Sequence, residues 1–170
     1  ERKEQMLFTE PIYTSGECVM LPASMKPETT TTSAADSLMT VAGLQAYFTA
    51  DRQLGVLSGT ILDQMAAKYF PDAQQVYMPG SSDLVAALTT GKIDGYLVDQ
   101  PQGYAQCLSD DRLWMPEVCV EEDHYGIALA FGQEALCEQL NALIGEMKTA
   151  GELDALSEKW FLTDEGQKPM

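Results

Sequence analysis

Between Val56 and Asp99 the chain alternates apolar strand, glycine turn and amphipathic helix, and then ends a further strand on an isolated acid. That order is the signature of an open α/β sheet. Val56 and Leu57 read as the end of a buried strand and Ser58-Gly59-Thr60 as a turn. Residues 61–70 read as a helix presenting Ile61, Leu62, Met65, Ala66 and Tyr69 to the interior. A second unit follows: a strand at 75–77, a Pro79-Gly80-Ser81 turn, a helix over 83–89 stopped by Gly91, and a strand over 93–98. Asp99 closes that strand. Ligands of parallel sheets sit outside the carboxyl ends of the strands, so Asp99 and the turn before Thr60 are expected to face one crevice. The turn itself suits an anion, because helix-terminal N–H groups and the helix dipole favour negative charge and Gly59 admits close approach.

A chain of 170 residues with 45% hydrophobic content can bury a core in one or two domains. Ten basic residues against 26 acidic ones give a net charge of −16, which excludes a phosphate-neutralising stripe and hence a nucleic-acid partner. The same charge is repelled by an anionic membrane surface, and no apolar run approaches the roughly 18 residues of a spanning helix. The chain opens at Glu1 without a secretion signal, as a processed or truncated product would.

Outside the central passage the pattern is plainer. A strand is expected at 18–21, then a solvated polar run, KPETTTTSAADS, over 26–37, and a short helix over 42–48. A helix over 101–108 begins at proline, and a strand covers 125–130. Two amphipathic helices close the chain, one with Leu136, Leu140, Leu143 and Met147 at helical spacing and one with Leu153, Leu156 and Trp160, separated by Gly151. The four cysteines are too widely spaced for a zinc ribbon, so no metal site is expected. Cys107 and Cys119 bracket the loop LSDDRLWMPEV, which a disulfide would close; buried free thiols are the other reading.

Catalysis finds little support. His124, the single histidine, follows Glu121-Glu122-Asp123 in a solvated setting. Asp94 and Asp99 lie five residues apart on one strand, on opposite faces and at opposite ends, and cannot share a proton. Gly91-Lys92 lacks the upstream glycines of a phosphate loop, and Asp36, Ser81 and Ser82 have no histidine near them.

Four segments in a fixed order resemble the type II periplasmic binding proteins, in particular the extracellular solute-binding proteins for polar amino acids (family 3). They are ERKEQMLFTEPIYTSG, LGVLSGT with YMPGSSDLVAALTTGKIDGYLVDQP, HYGIALAFGQEAL, and LNALIGEMKTAGELDALSEKWF. The resemblance implies an α/β fold of two Rossmann-like lobes joined by a hinge and closing on a small solute. It divides the chain into a lobe 1 remnant with the first crossing (1–23), a complete lobe 2 (24–121), and the second crossing with the C-terminal part of lobe 1 (122–170). The early half of lobe 1 has no counterpart, so the last two helices should expose apolar faces unless a second copy or a companion segment covers them.

Carried over residue by residue, Arg2 stands where the family grips the ligand's α-carboxylate, a task its planar fork suits. Read alone, Arg2 would be a solvated terminal charge; the following Phe8-Thr9-Glu10-Pro11 supplies the match. Thr60 stands where a hydroxyl and an N–H hold the same carboxylate, with Ser58 and Gly59 shaping the turn, and Asp99 stands where an acid meets the α-ammonium. Many relatives carry a second hydroxyl where this chain has Ile61, which implies weaker carboxylate binding or a ligand other than a standard α-amino acid.

The function expected on this resemblance is extracytoplasmic binding of an amino acid for an ABC transporter permease, without cofactor or catalysis. The alternative is the ligand-sensing domain of a receptor or kinase. A dehydratase-like or cell-wall-lyase-associated enzyme is the remaining reading.

Overall fold

The structure, a computed structural model, describes residues 4–27 and 37–161. It divides into two compact units: unit 1 comprises Glu1–Ser15 and Asp123–Met170, and unit 2 comprises Gly16–Glu122.

Unit 2 is built on a mixed six-stranded sheet. Its strands are β2 (Tyr13–Pro22, which enters from unit 1), β3 (Gln53–Leu57), β4 (Gln74–Met78), β5 (Gly95–Asp99), β6 (Leu113–Trp114) and β7 (Cys119–Tyr125, which leaves toward unit 1). The spatial order is β4-β3-β5-β2-β6, with β7 also paired to β2. β3 runs parallel to both β4 and β5, while β2 is antiparallel to β5 and β6. The helices are α1 (Val41–Tyr47), α2 (Ile61–Tyr69), α3 (Ser81–Thr89) and α4 (Gln100–Ser109).

Strand alternation sends successive side chains to opposite faces, and each face has its own core. Val19, Leu21, Leu54, Val56 and Leu97 pack with Leu44 and Phe48 around α1 and with Leu62 and Ala66 of α2. Cys18, Met20, Tyr96 and Val98 pack on the other face with Leu84, Ala87 and Leu88 of α3. Helices therefore cover both faces, as a sheet with parallel central strands requires. α3 ends at Gly91, whose φ of +72° is the left-handed geometry that glycine adopts without steric cost.

Unit 1 has far less sheet. β1 (Leu7–Phe8) pairs with β8 (Ala128–Leu129), and the ladder is prolonged by Thr9 N–H to Ile127 O at 3.0 Å and Ile12 N–H to Tyr125 O at 2.8 Å. Two helices follow, α5 (Glu134–Thr149) and α6 (Glu152–Phe161), broken at Gly151. The Glu10 N–H donates to Asn141 Oδ1 at 2.7 Å and ties α5 to the segment after β1. Within α5 only Ile144 is buried, while Leu136, Leu143, Leu156 and Trp160 are exposed.

Several expectations are corrected. Ile61 does not point inward: as the first residue of α2 it is 48% exposed, while Leu62 and Ala66 carry the buried side of the helix. The expected strand at 125–130 is only Ala128–Leu129, and the acidic segment before it forms β7 instead. Of the two readings of Cys107 and Cys119, a disulfide or free thiols, the structure has free thiols. Cys119 Sγ lies 2.8 Å from Cys18 Sγ, and Cys107 Sγ turns to Met20 Sδ at 3.6 Å, so the loop between them places the two thiols against different neighbours.

Candidate ligand-binding site

The carboxyl ends of β3, β4 and β5 share one edge of unit 2. The β3–β5 register (Leu54↔Gly95, Gly55↔Tyr96) runs the two strands in step, so the turn that begins at Ser58 and the strand end at Asp99 lie toward the same edge. The β3–β4 register likewise brings Pro79 beside Ser58, and the Ser58 N–H donates to Met78 O at 2.9 Å. On the far side Glu17 of β2 pairs directly with Asp99. Pro79, Ser58, Asp99 and Glu17 thus line this edge as a row drawn from four neighbouring strands.

Three helices start at this edge: α2 is capped by Thr60, α3 by Gly80 and α4 by Asp99. Their first N–H groups lack intrahelical acceptors and their dipoles point positive ends toward the row. The Gln102 Nε2 amide donates to Ser81 Oγ at 3.1 Å and holds the starts of α4 and α3 together. Asp99 caps α4 by backbone position, without a side-chain cap hydrogen bond.

The turn is more occupied than its sequence suggests. Thr60 Oγ1 donates to Leu57 O at 2.8 Å and accepts from the Leu62 N–H at 3.2 Å, so the hydroxyl serves the helix cap. Gly59, at φ +74°, directs its N–H to Asp63 Oδ2 at 3.1 Å. Asp63 is a carboxylate seated in the anion turn, and an incoming anion must share or displace it. Asp63 was missed from the sequence alone, although the spacing Thr60-x-x-Asp63 is that of a capping box and signals an acid at the start of α2. Glu17 was missed too, although it stands as an acid inside the run of β2 that is otherwise buried; it is only 3% exposed.

Directly paired residues on neighbouring strands point to the same face, so Glu17 and Asp99 share the α2 side of the sheet with Val19 and Leu97. Arg2, the remaining expected contact, lies outside the described residues. Asp94 accepts from Arg52 Nη1 and from the Gln53 N–H, each at 2.7 Å, at the opposite end of β5 from Asp99. His124 Nδ1 meets Thr14 Oγ1 at 3.2 Å on an exposed surface.

The sequence model of the bacterial extracellular solute-binding proteins, family 3, matches residues 1–163. The chain belongs to this family. The ABC transporter glutamine-binding protein GlnH of Bacillus subtilis is 21% identical to it over 164 residues, covering 96% of the chain and 55% of GlnH. A probable histidine-binding protein of Neisseria gonorrhoeae is 26% identical over 170 residues, covering 98% and 59%. The family 3 chain thus spans a little over half the length of these relatives.

Solved structures carry the same fold. An ABC transporter binding component from Wolinella succinogenes complexed with lysine superposes with a TM-score of 0.73 at 19% identity, covering 96% of the chain and 66% of the neighbour. An amino-acid substrate-binding protein of Streptococcus pneumoniae bound to L-arginine gives 0.66 at 22% identity, covering 93% and 62%. The α/β architecture is therefore that of the periplasmic-binding-protein type II fold.

Proposed function

We propose that this family 3 chain recognises an amino acid as the substrate-binding part of an ABC uptake system, partnered by a membrane permease. The observation that carries this reading is the row at the edge of unit 2. It sets a helix-capped turn suited to a carboxylate, directly after β3, near an acid suited to an ammonium at the end of the neighbouring β5, and a zwitterion has those two ends. In this reading Asp99 meets the α-ammonium, the N–H groups around Gly59 and Thr60 meet the α-carboxylate, and Arg2 is the carboxylate's second partner. Ion pairs of this kind gain strength as water is excluded from them. Glu17 beside Asp99 adds a second acid and favours a ligand carrying extra positive charge, in keeping with the lysine and L-arginine found in the fold's neighbours.

The family name supports an extracytoplasmic setting, and among the described residues no helix is long and apolar enough to cross a membrane. The relatives are binding proteins, which favours transport over the sensing and enzymatic alternatives.

Titration calorimetry with a panel of L-amino acids tests the reading. Heat should be released by lysine or arginine more strongly than by glutamate. A panel that binds none of the amino acids, or that prefers glutamate, would remove the site as described.

A further inference from the structure

Four cysteines are present, and their thiols have different surroundings. Cys107 faces Met20, and Cys137 donates to Phe8 O at 3.6 Å within unit 1. Cys18 and Cys119 face each other at 2.8 Å.

The fold builds that approach. Cys18 is fully buried on β2, on the face that carries Met20, Tyr96 and Val98, and Cys119 begins β7, which pairs with the same strand. Gly16 makes the room: a Cβ there would stand 2.6 Å from Cys119 Cβ, so any other residue would push Cys119 off β2. A disulfide needs sulfurs about 2.05 Å apart, a short further movement along an approach already made.

We propose that Cys18 and Cys119 are a thiol–disulfide modification site, oxidised by exchange with an external disulfide, either a small molecule or a dithiol oxidase. The Cys119 thiolate attacks one sulfur of the oxidant, forming a mixed disulfide and expelling the other sulfur as a thiolate. Cys18 passes its proton to an expelled thiolate and attacks Cys119 Sγ, expelling the second thiolate, which is protonated from solvent. Two protein thiols and one oxidant disulfide become one protein disulfide and the oxidant's two thiols. The order follows from access, because Cys119 is half-buried while Cys18 is sealed. It also follows from acidity: the hydrogen bond from Cys18 lowers the Cys119 thiol, while that same bond and burial raise Cys18.

The bond would have a particular place in the chain. β2 carries the chain into unit 2 at Gly16 and β7 carries it out at Glu122, so a link from 18 to 119 closes nearly the whole of unit 2 into a ring. Closing so long a loop restricts the unfolded chain, and the oxidised form should melt about 5 to 15 °C higher than the reduced form.

The test uses the 170-residue chain incubated with oxidised glutathione, then alkylated and digested for peptide mapping by mass spectrometry. Expected are a loss of two hydrogens from the intact mass, a linked peptide pair containing Cys18 and Cys119, and alkylation at Cys107 and Cys137. Cys107→Ser should give the same link. Cys18→Ser should leave glutathione trapped on Cys119, and the map of the unsubstituted chain decides the pairing even if that variant does not fold. A Cys107–Cys119 link, or alkylation of both Cys18 and Cys119 under conditions that oxidise a dithiol control peptide, would overturn the proposal.

Discussion

The two units use the same amphipathic helix pattern with opposite results. In unit 2 the nine-residue α3 buries Leu84, Ala87 and Leu88. In unit 1 the 16-residue α5 buries only Ile144. Helical spacing decides which side chains share a face; whether that face is covered depends on the sheet beneath it. Unit 2 supplies six strands and unit 1, among the described residues, a two-residue pair extended by a few backbone bonds.

The largest expected effect sharpens that contrast. Leu97→Ala removes a side chain that is 1% exposed from the centre of unit 2 and should cost about 2 to 5 kcal/mol by chemical denaturation. Leu143→Ser, at 51% exposure, should change stability by no more than about 0.5 kcal/mol. Its effect should appear in solution behaviour. Leu136, Leu143, Leu156 and Trp160 are exposed apolar side chains, and if they drive self-association, Leu143→Ser should raise the concentration at which light scattering first detects it. Equal destabilisation by the two substitutions would mean that α5 is buried as deeply as the core of unit 2.

The next effect concerns binding at the rim of the well-cored unit. Asp99→Ala would leave a bound ammonium without its acid and should weaken amino-acid binding by roughly 2 to 5 kcal/mol. Unchanged affinity in calorimetry would take Asp99 out of the site and leave the row only an architectural role.

How far the sequence disclosed this arrangement varied along the chain for physical reasons. The strand-turn-helix succession of unit 2 was plain because buried positions recur at helical and strand spacing, and because Gly59 and Gly91 mark turns that need positive φ. β7 was hidden because its CVEEDHY sequence is acidic and polar; it becomes a strand by pairing with β2, where tertiary context outweighs propensity. The approach of Cys18 and Cys119 was hidden for a related reason. Residues 107 and 119 are near in sequence, whereas Cys18 and Cys119 are 101 residues apart and meet only once the sheet has formed. Ile61 was assigned inward because its spacing fits, but spacing alone does not say how far the first residue of a helix is covered. Of the candidate site, Ser58 and Asp99 could be placed at strand ends, while Asp63's occupation of the turn required seeing its carboxylate on the Gly59 N–H.

A smaller effect tests that occupation. Because Thr60 Oγ1 is engaged with Leu57 O and the Leu62 N–H, Thr60→Ala should cost about 0.5 to 2 kcal/mol of stability as a lost cap, with a smaller change in affinity since the backbone donors remain. Asp63→Asn removes negative charge from the anion turn and should tighten carboxylate binding by about 0.3 to 1 kcal/mol. Ile61→Thr, restoring a second hydroxyl on an exposed position, should leave amino-acid affinity unchanged or improve it. A marked loss with Ile61→Thr would show that the isoleucine contacts the ligand.

The smallest effect lies on the surface of unit 2, where Arg112 folds back on Asp110 through Nε to Oδ1 at 2.9 Å and Nη2 to Oδ2 at 2.7 Å. These hydrogen bonds hold the Asp110 carboxyl down at about 2, against an ordinary value of 3.8. A carboxyl depressed on folding adds stability that is fully present above its unfolded value and fades as pH falls from near 3.8 through about 2. Because the pair is solvated, the contribution is small and should shrink further in high salt. Carboxyl-detected NMR titration should place the Asp110 midpoint near 2 in the intact chain, and Arg112→Gln should return it toward the ordinary range. An Asp110 midpoint at the ordinary value in the unsubstituted chain would show that Arg112 spends its time in solvent and that the pair adds nothing to unit 2.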